Sequence, residues 1–228
     1  MEYLWCSTVL WQHQIPTSLL LIDGCSITPV QSACDLGIYV DCNLSMQTQI
    51  QCTVSQCFTA LHQLCQIRRS IQSATLQKLV LALVHSRLDY GNAVLVGLLA
   101  HLMGRLQSVL NEATWLIYRL RTHDHITDAL INLHWLWVPE RIQYKLAVLA
   151  YKVLHGDAPR YLNPLIHVDD LPGRQPLRST NTNRLMVPLV KLSTVGSWTF
   201  AVAAPHIWNR LQTDVVTANF IDYWNDFF

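Results

Sequence analysis

The sequence predicts a mainly α-helical protein with a small β segment at its N-terminus and an irregular C-terminal extension, and three observations carry that prediction. From Ser45 onward apolar residues recur at helical spacing, whereas residues 3–41 fall into short runs punctuated by turn residues. Leu133 to Pro159 spells out a whole helix, from entry proline to terminal glycine. After Gly156 the texture changes again. Pro172, Gly173, Pro176 and several Ser, Thr and Asn residues between Asp169 and Asn183 have the composition of a linker.

In chain order, Ser18–Ile22 and Cys25–Val30 flank Asp23-Gly24, a tight-turn pair that predicts a β-hairpin. Leu36–Val40 reads as a third strand, β-branched and aromatic toward its end. Ile50, Val54, Phe58, Leu61 and Leu64 make the buried stripe of the first helix, which Arg68-Arg69 close where cations favour the C-terminal dipole. Ser73 is the expected N-cap of the next helix, with Leu76, Leu79, Val80, Leu83 and Val84 inward. Asp89-Tyr90-Gly91-Asn92 reads as a bend. A third helix follows from about Leu102 to Leu120, burying Leu102, Leu106, Val109, Leu110, Ala113, Leu116 and Ile117. Ile126–Leu133 is a short helix capped by Thr127 or His125. In the next helix Pro139 suits the first turn, Ile142, Leu146, Leu149 and Val153 share one side, and Gly156 ends it. Leu185–Val190 reads as a strand and Phe200–Leu211 as a short helix broken by Pro205.

Composition narrows the class. With 51% hydrophobic residues the chain has ample material for a core, and its longest apolar runs are interrupted before the ~18 residues a membrane span needs. No basic stretch precedes an apolar core at the N-terminus, so an intracellular protein, in cytoplasm or nucleus and not secreted, is expected. Charged residues make up 14%, below a typical ~25%, which points to surface covered by a partner or by missing parts of the same protein. The net charge of +1 conceals a partition. All sixteen Lys and Arg lie at or after Arg68, and segment 68–210 carries a net of +8. The pattern fits a polyanion binder, although on composition alone scattered surface charge is the favoured reading. The seven cysteines all lie within the first 67 residues. Their odd number and the lack of a CxxC pair predict reduced thiols packed as small apolar groups rather than disulfides or a zinc site built from Cys52, Cys57, His13 and His62.

Few residues suggest catalysis. Asp169-Asp170 has the paired carboxylates of a metal-dependent polymerase, but His167-Val168 precedes it and a linker follows, so a solvated acidic turn is expected. His123, Asp124, His125 and His134 lack a third ligand at a supporting spacing and read as polar connections. No Gly-rich phosphate loop or nucleophile elbow is present. Basic residues remain. Arg141, Lys145 and Lys152, with Tyr144 and Tyr151 on a flank, and Arg68, Arg69, Lys78 and Arg87 are candidates for following a phosphate backbone.

Several segments, taken in order, resemble the C-terminal part of a non-LTR (LINE-type, jockey-like) retrotransposon reverse transcriptase. Glu2-Tyr3-Leu4-Trp5-Cys6 is similar to the strand following that family's polymerase site, and Asp35-Leu36-Gly37-Ile38-Tyr39-Val40-Asp41 to its palm-end segment near the primer grip. LVHSRLDYGN over 83–92 resembles a family helix, and Leu106–Asn111, Leu133–Gly156, Leu177-Arg178-Ser179 and Phe200–Leu211 resemble further blocks. The resemblance implies an end-of-palm β segment over 1–43, a helical thumb-like domain over 44–167, and a linker with C-terminal extension over 168–228. It implies primer-grip-like roles for Leu36 and Gly37 and an RNA or DNA template–primer duplex as partner, with no membrane. The catalytic aspartates of that family lie upstream of the matching segments. A truncated product is therefore expected, with no polymerase activity and no cofactor of its own, the Mg²⁺ ions belonging to the missing palm. A helical protein-interaction module derived from such an element is the alternative.

Overall fold

The computed structural model describes residues 3–7, 9–16, 18–22, 24–120, 124–162, 165–170, 183–191 and 196–211. The chain is mainly helical, and the described residues include two small antiparallel sheets. It forms two compact units, residues 1–91 with 98–126 and residues 92–97 with 127–228.

In the first unit, β1 (Leu20–Ile22) and β2 (Cys25–Ile27) pair with Leu20 opposite Ile27, and Gly24 takes a left-handed φ of 80° in their turn. The hairpin predicted at Asp23-Gly24 therefore forms, with shorter strands; Asp23 itself lies outside the described residues. A 3₁₀ helix over Val9–Gln14 replaces strand in the first residues. The expected third strand is displaced. Leu36 and Gly37 are not strand but the two-residue turn between β3 (Ser32–Asp35) and β4 (Ile38–Asp41), with φ of 48° and 79°. Two positive φ values match the right-handed twist of a tight hairpin.

Asp41, the last residue of β4, is buried and sets the start of α1 (Gln47–Ile67). Its Oδ2 accepts from Ser45 Oγ at 3.0 Å and from the Thr48 N–H at 3.2 Å, which offsets the missing side-chain cap at Met46. Gln49, also buried, accepts from the Tyr39 N–H at 2.9 Å and ties α1 to β4. The buried face of α1 carries Ile50, Val54, Leu61 and Leu64 as expected, but Cys57 takes the place of Phe58, which is 39% exposed.

Next come α2 (Ser73–Val80), a π-helical turn over Leu81–His85, and α3 (Ser86–Asp89). Gln72 rather than Ser73 occupies the N-cap, without a side-chain bond, and Leu83 is exposed because the wider π turn shifts the face. α4 (Ala100–Tyr118) buries all seven predicted residues and Thr114, whose hydroxyl donates to the Leu110 carbonyl. α1 packs against α4 as the main helix pair of this unit.

The second unit holds α5 (Ile126–Asn132), α6 (Val138–Leu154) and α7 (Phe200–Trp208). His134 turns the chain after α5 at φ 55°. The Trp135 N–H bonds to the Leu130 carbonyl and the His134 N–H to Ile131, a Schellman closure with histidine where glycine is usual. Gly156 closes α6 the same way, with Asp157 N–H to Lys152 and Gly156 N–H to Val153. Leu149 and Val153 of α6 are half-buried, the core face being Val138, Arg141, Ile142, Leu146, Ala147 and Ala150. Pro205 does not break α7, which runs through it while burying Val202, Ala203, Ala204 and Trp208. Leu185 joins Ala150, Ala204 and Trp208 in a buried cluster, but Leu185 makes only an isolated bridge to His167 rather than a strand.

Gly97, at φ 76°, lies so close to Trp198 that an added Cβ would overlap the indole Nε1 and Cδ1. Gly97→Ala is expected to cost about 2 kcal/mol, since left-handed strain for an L-residue adds to displacement of the ring. Urea unfolding followed by tryptophan fluorescence measures it.

Candidate nucleic-acid interface

The basic candidates divide between the two units. On the first, Arg69 is exposed in the short 3₁₀ turn (Arg68–Ser70) that ends α1, Lys78 on α2, and Arg87 on α3. Arg87 Nη1 donates to the Leu83 carbonyl at 2.9 Å, one turn back. Arg68 is half-buried, and its Nη2 donates to the Ile117 carbonyl at 3.4 Å, closing an orphan acceptor at the end of α4. Burial, and then the neighbouring Arg119 charge, push the Arg68 pKa down.

On the second unit, Lys145 and Lys152 are exposed on α6, seven residues apart and so on one face. Arg141 is not part of that exposed row. It is 5% exposed and counts among the buried residues of α6, the helix on which both α7 and the Asn92–Leu95 turn pack. The tyrosines also turn inward. Tyr144 is half-buried, which raises its pKa, and lines a groove of about 220 Å³ with Leu136, Glu140, Gln143 and Ile207. Tyr151 stacks on His155 with ring centroids 3.8 Å apart and packs against the Ala150 cluster.

The primer-grip-like pair sits at the tip of the second hairpin. Leu36 is 82% exposed, and the Tyr90 hydroxyl donates to its carbonyl while the Tyr90 ring covers Gly37. Tyr90 thus pins the turn to the end of α3.

A cleft of about 1040 Å³ lies between the C-terminal ends of α1 and α4, lined by Cys65, Gln66, Arg68, Arg69, Glu112, Trp115, Leu116, Arg119 and Leu120. Helical periodicity puts Arg119 near the end of α4, and nothing local joins it to Arg68 and Arg69. At least fifty residues separate them, and only the α1–α4 packing brings them to one cavity. Trp115 carried no signal at all beyond being an aromatic on α4.

The other candidates have local explanations. Asp169 and Asp170 are exposed in a 3₁₀ turn over Val168–Asp170, not in a strand hairpin. Cys57 donates to the Val84 carbonyl, and burial pushes its thiol up to about 11, leaving it protonated and unreactive at neutral pH. The expectation of buried thiols holds for Cys57 but fails for Cys6, Cys25, Cys34 and Cys65, which are exposed. Among the described residues no three His, Cys, Asp or Glu side chains form a group able to hold a metal ion. His123, most of the expected linker with its Leu177–Ser179 segment, and the residues after Leu211 lie outside the described residues. Among those described, no helix is long and apolar enough to cross a membrane. No family model, curated protein or solved structure matches the chain.

Proposed function

We propose that this chain is the palm-end and thumb portion of a LINE-type reverse transcriptase, that it does not copy nucleic acid by itself, and that it holds template–primer duplex through the sugar-phosphate backbone inside the cell. The observation that carries this reading is the ordered series of family-like segments, above all DLGIYVD over 35–41 and LVHSRLDYGN over 83–92. Exposure of Arg69, Lys78, Arg87, Lys145 and Lys152 supports the binding half of the proposal, because phosphate contacts need cations that reach solvent.

Two measurements test it. Purified protein with Mg²⁺ is expected to extend no primer, and template-dependent synthesis would sink the reading. Duplex affinity is expected to fall steeply with salt, and Lys145→Glu with Lys152→Glu to weaken it and flatten the log–log salt slope by up to about 2. An unchanged slope removes α6 from the interface. Large apolar side chains exposed on the N-terminal segment, including Trp11, Leu21 and Leu36, favour the alternative of a protein-interaction module. That alternative predicts no duplex binding even at low salt.

A further inference from the structure

We infer that the cleft between the ends of α1 and α4 is a separate binding site for single-stranded nucleic acid, in which Arg69 and Arg119 hold backbone phosphate and Trp115 meets a base. It rests on the nucleic-acid reading only for the class of polymer, and it does not involve α6.

The first argument is charge. Three arginines line the cleft against one acid, Glu112, so the site keeps a net positive charge. The downward push of Arg119 on Arg68 is the electrostatic sign of that crowding. Arg68 already serves the end of α4 through its bond to Ile117. Arg69 and Arg119 are exposed, and among the described residues neither has a hydrogen-bond or ion-pair partner. Cations at helix C-termini are favourable in themselves, which explains one arginine at each end. It does not explain three converging on one cavity.

The second argument is backbone. Arg119 caps α4 at φ 57°, a left-handed position where glycine would be the relaxed choice. An arginine kept there at a conformational cost is expected where its side chain is used.

The third argument is Trp115. Its Nε1 is buried without a hydrogen-bond partner, although the ring lines the same cleft. An orphaned donor of this kind is uncommon and calls for a reason, which an acceptor entering the cleft supplies once the ring turns toward it. An aromatic side chain among arginines suits nucleotides, whose bases offer π faces and ring acceptors beside a phosphate. A blunt duplex keeps its base faces stacked inside, and an acidic peptide has carboxylates but no such faces. The cavity volume of about 1040 Å³ accommodates more than an isolated anion.

Fluorescence anisotropy with a labelled oligothymidylate and a blunt duplex of equal length tests the inference on the full chain. Arg69→Glu with Arg119→Glu is expected to lower single-strand affinity at least about tenfold at low salt and to flatten its salt slope by about 1.4, two contacts at single-strand density. Trp115→Leu is expected to weaken the single strand about tenfold and the blunt duplex hardly at all. Arg119→Gly removes the guanidinium while relaxing the cap, so it should keep or raise the melting temperature and still weaken single-strand binding. Single-strand affinity unchanged in the Arg69/Arg119 variant, or polyglutamate competing as well as the oligonucleotide, overturns the proposal. The duplex reading fails separately, through the Lys145 and Lys152 variant on duplex.

Discussion

Arg141→Glu is expected to unfold the second unit, whereas Lys145→Glu, one turn further along α6, is expected to leave stability within about 0.5 kcal/mol of the parent. The difference comes from burial. Arg141 is 5% exposed between Val138 and Ile142 on the core face of α6, while Lys145 points to solvent. The Arg141 guanidinium is packed away from water, with Nη1 buried and making no hydrogen bond. Placing a carboxylate there buries an anion with little water around it, and an uncompensated buried charge costs about 3–5 kcal/mol. Thermal and urea unfolding monitored by circular dichroism measure the loss. The consequence for function is direct. A triple reversal of Arg141, Lys145 and Lys152 would abolish binding by unfolding, so only the two lysines give an interpretable interface test. If Arg141→Glu melts with the parent protein, Arg141 belongs to the exposed row after all.

Arg141 also shows where sequence reading stops. On a helical wheel it lies about 40° from Lys145, inside the same apparent basic face. Its burial depends on what packs on α6, which includes α7 and the Asn92–Leu95 turn, and periodicity carries no information about such distant partners. Legible features were those decided locally. The seven inward residues of α4 follow from one strong apolar stripe, and Gly156 ends α6 because only local backbone freedom is at stake. The Asp23-Gly24 hairpin is visible for the same reason, whereas the Leu36-Gly37 turn looks like strand because leucine is an unusual residue at positive φ. Tyr90, fifty-four residues away, supports that turn by bonding to the Leu36 carbonyl.

Pro205 gives the opposite case, in which a local rule was overridden. A proline removes one helical bond, but α7 has only nine residues and most of its stability comes from the side chains it buries. The cleft was the least legible feature. Each of its arginines reads as an ordinary helix-end cation, and its aromatic as an ordinary helix residue. The site exists only once α1 and α4 are packed.

Leu110→Ala is the second substitution expected to have a large effect, and it tests that packing. Leu110 is fully buried at the middle of α4, the helix that packs on α1, so truncation leaves a cavity that rigid helix backbones cannot close. The expected loss is about 2–5 kcal/mol by urea unfolding. Phe58→Ala on α1 removes a larger side chain but one already 39% exposed, so it is expected to cost less than Leu110→Ala. That order decides between two faces of α1, since the apolar stripe read from sequence places Phe58 in the core and the structure places Cys57 there. A greater loss from Phe58→Ala would mean that α1 is rotated toward Phe58. Such a rotation would carry Arg68 and Arg69 away from Arg119 and dissolve the cleft, so the stability of these two variants bears on the single-strand site as directly as any binding curve.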